Sequence, residues 1–196
     1  MRIVFDIGAV LVDWQPELAW ADELGLDGAR AFMARIGFEK INLACDAGAN
    51  FADAAREIAD PADAARLATY VDRYPLTVPN KISGTWDCLY DLKERGYTVH
   101  AITNWSAETW PRGLEVHPEL GDVFDTTLVS GEVGIIKPSV AIYRLLCDRV
   151  GEAPDQFVFI DDGRHNCLGA KAAGMDAINF TDPVALRADL EAKGLL

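Results

Sequence analysis

With 196 residues, half of them hydrophobic, the chain can bury one substantial core carrying a lid or insertion, but not two large domains. Thirty-one acids against 18 bases give a net charge of −13, which argues against nucleic acid or an anionic membrane as a partner. Cys45, Cys88, Cys147 and Cys167 are scattered without a C-x-x-C pair, a usage that suits inert buried thiols in a reducing cytoplasm rather than disulfides or zinc. No apolar run approaches membrane-spanning length, so the expectation is a soluble cytoplasmic protein.

In chain order, Ile3-Val4-Phe5 is a short apolar run with two β-branched members, the pattern of a strand buried on both faces of a parallel sheet. It ends at Asp6, with Gly8 following, so a carboxylate stands at the carboxyl edge where open sheets bind ligands. Helical periods then take over. Pro16 to Leu26 and Ala29 to Phe38 each read as a helix, and Phe51, Ala54, Ala55, Ile58 and Ala59 recur at amphipathic spacing. Asp60-Pro61 stops one helix and caps the next, on which Leu67, Tyr70, Val71 and Tyr74 face inward. Nothing between Trp14 and Tyr74 reads as a strand.

Pro75 to Pro79 reads as a return linker. After it, a helix ending at Gly96 leads to a strand over Thr98–Thr103, and Ser106 is the expected N-cap of the helix that follows. A strand lies within Phe124–Ser130, and Ile142, Leu145, Leu146 and Val150 line a helix behind Lys137-Pro138. Phe157–Ile160 is the most apolar strand and runs into Asp161-Asp162. A short helix through Ala170–Ala173, a strand over Ala177–Phe180 and a helix from Asp182 complete the series. Strands alternating with helices imply right-handed crossovers and a parallel sheet covered on both faces.

Four polar positions recur at strand ends or helix starts: Asp6, Thr103, Lys137 and the pair Asp161-Asp162. In that order and context the chain resembles the haloacid dehalogenase (HAD) superfamily, over essentially its whole length. The resemblance implies an α/β Rossmann-like parallel core, residues 1–13 and 80–196, with an all-helical cap, residues 14–79, inserted after the first strand. It also implies a hydrolase, most simply a Mg²⁺-dependent phosphatase of a small phosphorylated metabolite such as a sugar phosphate.

Under that resemblance Asp6 is the nucleophile and forms an aspartyl-phosphate that water hydrolyses. Asp6, the Gly8 carbonyl and Asp161 hold Mg²⁺, a hard ion that prefers oxygen, while Asp162 completes the metal group by ordering metal-bound water. Thr103 and the backbone of Asn104 donate to phosphate oxygens, and Lys137 brings a compact positive charge to nucleophile and phosphate. Taken singly, each has a plainer reading: Thr103 and Asn104 as helix caps, Lys137 as a solvated charge. Arg164 and His165 follow the paired acids and are placed to reach a substrate over the rim, although Arg164 can equally pair with a surface acid. Asn166 reads as a cap or loop tie. Trp14 and Trp105 sit in loops near the expected cleft, placed to wall it against water, with core packing the simpler expectation. Arg30, Arg35 and Lys40 are cap bases of unknown facing.

One departure bears on mechanism. The phosphatase branch usually carries a second Asp two residues after the nucleophile, as general acid and base, and this chain has Gly8 there. A 2-haloacid dehalogenase, which attacks carbon with the same Asp and needs no metal, also lacks that second Asp. It usually has an aromatic residue at the Gly8 position and no adjacent acids at the fourth motif, so Asp161-Asp162 favours the phosphatase. A binding protein that has lost turnover is a third reading, supported by Gly8 alone.

Overall fold

The structure, a computed structural model, describes residues 1–196. Seven strands form: β1 (Arg2–Phe5), β2 (Val12–Asp13), β3 (Asn80–Lys81), β4 (Val99–Thr103), β5 (Thr126–Val129), β6 (Phe157–Asp161) and β7 (Asp176–Asn179). Five of them make a wholly parallel sheet in the order β5-β4-β1-β6-β7. β1 is therefore central, with Phe5 opposite Ala101 on one side and Ile160 on the other. The chain runs outward from β1 to β5 and then crosses back to β6, which opens a crevice at the carboxyl edge beside β1. Asp6, Thr103 and Asp161 end three adjacent strands at that edge.

Both faces of the sheet are covered, which is why Ile3–Phe5 and Phe157–Ile160 read as unbroken apolar runs; β4 is interrupted by His100, which is buried. On one face Val4, Ile102, Leu128, Phe157 and Phe159 pack against Ile142, Tyr143 and Leu146 of the helix Val140–Val150 and Ala170 of the helix Arg164–Ala173. On the other, Ile3, Phe5 and Ile160 join Leu89 and Leu92 of the helix Ser83–Glu94 and Leu186 and Leu190 of the helix Pro183–Ala192.

Between β2 and β3 the chain is helical, with α1 (Ala21–Ile36), α2 (Phe38–Asp46), α3 (Phe51–Arg56), α4 (Pro61–Ala68) and α5 (Tyr70–Arg73) flanked by 3₁₀ turns. The expected break between the first two helical periods is a kink within α1, at Gly25 with φ 68° and ψ 165°, a conformation that needs glycine. Asp60 caps α4 as expected, its Oδ1 accepting from Ala62 and Asp63 N–H groups at 2.9 Å. β2 and β3 form an antiparallel ribbon, Val12 opposite Lys81, where the chain enters and leaves these helices; it is too short and polar to show in the sequence pattern.

The helical segment does not have a core of its own. Trp20 stacks on Tyr70 at 5.3 Å, Tyr70 meets Tyr74 edge-on at 5.7 Å, and Tyr74 meets Trp105 of the sheet edge at 5.5 Å. These rings belong to one 36-residue apolar cluster that also holds Ile3 and Phe5.

Two local expectations are corrected. The helix after β4 starts at Trp110, not Ser106. Trp105 N–H donates to Ser130 Oγ at 3.0 Å and its carbonyl accepts from Gly131 N–H at 3.0 Å, which holds the segment out of the helix. Gly131 permits the approach, since a Cβ there would lie 2.4 Å from Ala107 N. The helix after β6 starts at Arg164 with Gly163 as its N-cap, so Asn166 lies inside the helix and not at its cap, free for another role. No helix is long and apolar enough to cross a membrane.

Candidate active site

At the carboxyl edge Lys137 Nζ sits between two carboxylates, 2.8 Å from Asp6 Oδ1 and 2.6 Å from Asp161 Oδ2. All three side chains are buried. Asp6 Oδ1 also accepts from Ile7 N–H at 2.7 Å. Asp161 Oδ1 accepts from Gly163 N–H at 2.7 Å and Asn166 Nδ2 at 2.9 Å. Burial raises the Asp6 carboxyl above its ordinary value; Lys137 opposes the rise and Asp161 adds to it. Burial also works to lower Lys137, but Asp6 and Asp161 outweigh it and hold its ammonium above the ordinary range. Lys137 is thus a charged tie between two strand ends.

The cavity over these groups has a volume of about 240 Å³. Asp6, Gly8, Thr103, Asn104, Lys137 and Asp162 line it, so the structure brings most of the sequence-derived candidates together. Asp161 is fully buried behind Lys137 and outside the lining. Arg164 and His165 are exposed at the start of their helix and outside the lining. The cap bases are also elsewhere: Arg30 pairs with Glu17 at 2.8 Å, Arg35 grips Asp63 with two bonds of 2.7 Å, and Lys40 faces outward. Lys137 is the one basic side chain in the wall.

Asn104 has a role its position did not suggest. Its Nδ2 donates to the Lys137 carbonyl at 3.1 Å and its Oδ1 accepts from the Lys137 N–H at 2.8 Å. Gly8 is in an ordinary backbone region, and a Cβ on it would meet nothing within 4 Å. The left-handed residue of this loop is Ala9, at φ 57°. Gly8 is therefore not required by the turn, and its effect is to leave space in the cavity.

Other lining residues arrive from the helical segment or by long-range folding: Trp14, Asn42, Asp46, Tyr74, Trp105 and Asn166. Asp46 ends α2, where its carboxyl is pushed up to about 7 by burial, and its Oδ2 accepts from Asn42 Nδ2 at 2.9 Å. Ser130 Oγ donates to the Asp46 carbonyl at 2.6 Å, and Glu108 accepts from Phe51 N–H at 2.7 Å. These bonds fix the helices over the sheet edge. The sequence placed Trp14 and Trp105 in loops near the cleft and marked Asn166 as a cap or loop tie; Asp46 carried no signal beyond being polar.

The residues present fit a hard divalent cation. Carboxylate oxygens of Asp6, Asp161 and Asp162 lie within 4.8 Å of one another, with a single lysine to offset them. Burial, then Asp161, raises Asp162 above the usual carboxylate range. Asn166 Oδ1 is buried beside them without a hydrogen-bond partner. The donors are all oxygens, with no thiol or imidazole in the wall. The four cysteines are buried, and burial lifts the Cys45 thiol to about 12, so no thiol nucleophile competes with Asp6.

Comparisons with known proteins identify the family. A profile of the haloacid dehalogenase-like hydrolases matches residues 2–174. The phosphoglycolate phosphatase of Pseudomonas putida is 26% identical over 189 residues, covering 91% of this chain and 68% of that protein. The chain spans only 19% to 49% of the length of other curated relatives it matches. A HAD family enzyme of Bacteroides thetaiotaomicron, solved with magnesium and inorganic phosphate, superposes with a TM-score of 0.67 at 20% identity, over 92% of this chain and 94% of its own. An L-2-haloacid dehalogenase of Xanthobacter autotrophicus with covalently bound chloropropionic acid superposes at 0.64 and 17% identity, over 100% and 84%. At these identities the two structures speak for the fold, and the profile match speaks for the family: the chain belongs to the haloacid dehalogenase-like hydrolases.

Proposed function

We propose that the protein is a Mg²⁺-dependent phosphatase that cleaves the phosphate monoester of a small, uncharged alcohol, such as a sugar phosphate, through an aspartyl-phosphate on Asp6. The observation that carries this reading is the group of three carboxylates within 4.8 Å around one lysine at the sheet's carboxyl edge. Asp6, Asp161 and Asp162, with the Gly8 carbonyl, would hold Mg²⁺, which supplies charge neutralisation for acids and phosphate alike.

Asp6, fixed by the Ile7 N–H and Lys137, presents its other oxygen to phosphorus. Lys137 keeps that carboxylate aimed and lends positive charge as the phosphoryl group transfers. Thr103, buried at the end of β4, offers its hydroxyl to a phosphoryl oxygen. Asn166 and Gly163 hold Asp161 in place. Trp14, Tyr74 and Trp105 wall the leaving-group side and limit water.

The wall's charge supports the substrate class. A substrate carrying a carboxylate as well as its reacting group would need a second cation, and Lys137 is already shared by two acids. The same consideration counts against a 2-haloacid. The test is release of p-nitrophenol from p-nitrophenyl phosphate with Mg²⁺ or EDTA, run beside chloride release from 2-chloropropionate. Phosphatase activity that disappears in EDTA, and in Asp6→Asn, is the expected result. Chloride release that persists in EDTA would replace this reading with the dehalogenase.

A further inference from the structure

We propose that Asp46, reaching the cavity from the helical segment, is the acid–base group of this site and takes the part that Gly8 cannot play. This rests on the phosphatase reading and adds a catalytic residue to it.

Three observations converge. First, direction: in an in-line displacement the leaving oxygen departs on the side of phosphorus opposite the nucleophile. Asp6 belongs to the sheet edge, and Asp46 lines the same cavity from α2, in the segment folded over that edge. Second, availability: Lys137 is committed to two carboxylates and Asp162 to the acid group, whereas Asp46 forms no ion pair and its carboxyl meets only neutral donors, Asn42 Nδ2 on Oδ2 and the Ser106 N–H. Third, environment: Asp46 is only 7% exposed and is the last residue of its helix, where the helix dipole disfavours a carboxylate. Its proton is consequently retained up to about pH 7, the range in which a general acid works best. The titratable groups around it are Lys137, Tyr70, Tyr74 and Cys45. Burial raises the two phenols and the thiol, so none of them exchanges a proton near neutrality.

The two steps balance. Asp6 Oδ forms a bond to phosphorus as the bond from phosphorus to the alcohol oxygen breaks; the Asp46 proton passes to that oxygen, and the alcohol leaves. Water then attacks phosphorus, its proton returns to the Asp46 carboxylate, and the bond from phosphorus to Asp6 breaks. Inorganic phosphate departs with both aspartates restored.

The experiment uses the full chain with Mg²⁺ and a series of aryl phosphates of similar shape but increasing leaving-group pKa, from p-nitrophenyl to p-methylphenyl, extended to an alkyl phosphate. Asp46→Asn keeps the size and can accept from Asn42, so the fold should survive; circular dichroism checks this, and Asp46→Ser serves if it does not. The expected result is a loss of ~10²–10⁴-fold for the poorest leaving groups and under ~10-fold for p-nitrophenyl phosphate, so that log kcat/KM falls more steeply with leaving-group pKa. The fall in kcat/KM above about pH 7 for poor leaving groups should also vanish. Adding Gly8→Asp to Asp46→Asn, into space that is open, should flatten the slope again. An equal loss across the series, or an unchanged slope, would overturn the role of Asp46 and leave the phosphatase standing. A wild type that hydrolyses no member of the series would overturn both.

Discussion

Asn104 holds Lys137 by the main chain on both sides, donating to its carbonyl at 3.1 Å and accepting from its N–H at 2.8 Å. The ammonium that bridges Asp6 and Asp161 is thus anchored to the end of β4 at its backbone and to β1 and β6 at its tip. Asn104→Ala should leave two part-buried main-chain groups without partners, at a cost of ~1–3 kcal/mol in urea unfolding. It should also lower kcat more than it raises KM, because the lysine is less well aimed. If only KM changes, Asn104 meets the substrate directly and does not act through Lys137.

Lys137→Met should be more damaging. Removing the ammonium leaves two buried carboxylates facing each other, and breaking a buried pair of this kind typically costs ~3–5 kcal/mol. Mg²⁺ should restore part of the loss, ~2.7 kcal/mol when present at a hundred times its Kd. Urea melts of wild type and variant, with and without Mg²⁺, check this; a variant as stable as wild type in EDTA would contradict the pairing.

Asp46 makes stability depend on pH in a definite direction. Its folded pKa of about 7 lies above the ordinary 3.8. Between those values the folded state keeps a proton that the unfolded state has released, so this group's contribution declines as pH rises from about 4 to 7. Asp46→Asn removes the dependence. Relative to wild type, the variant should therefore gain stability across that window, on the order of a few kcal/mol. Denaturation in EDTA at pH 4.5 and 7.5 gives the comparison, and a constant difference between the two proteins would rule out the raised pKa.

The aromatic seam from Trp20 through Tyr70 and Tyr74 to Trp105 predicts one cooperative transition in calorimetry, not separate melting of helices and sheet. Trp105→Ala should lower that single transition, with a cost of ~3–5 kcal/mol, and should not split it in two.

What the sequence disclosed follows the physics of parallel sheets. A strand buried on both faces is apolar at nearly every position, so the polar residue that ends it stands out, and Asp6, Thr103 and Asp161 were legible on that ground even though His100 interrupts β4. Lys137 was legible through its place in the motif order. Asp46 and Asn166 were not, because each lies on a helix and not at a strand end, and only the packing of α2 over the edge, or the turn after Gly163, aims them inward. Ser106 misled for a related reason: its hydroxyl does accept from the Glu108 N–H, at 3.1 Å, but the bonds to Ser130 and Gly131 hold the chain in a turn. Gly8 could not be interpreted from composition, since a glycine required by φ and one that only makes room look alike.

The central place of β1 has a consequence for how the protein must be made. β1 is synthesised well before both of its neighbours, β4 and β6, whose residues begin at Val99 and Phe157. Until those are synthesised, Ile3-Val4-Phe5 has neither neighbour, and the rings that later meet Trp105 are uncovered on that side. Pairings this remote in sequence form slowly, and the unfinished chain exposes its stickiest surface while it waits. The surplus of acids, awkward for a phosphate site, keeps such nascent chains apart.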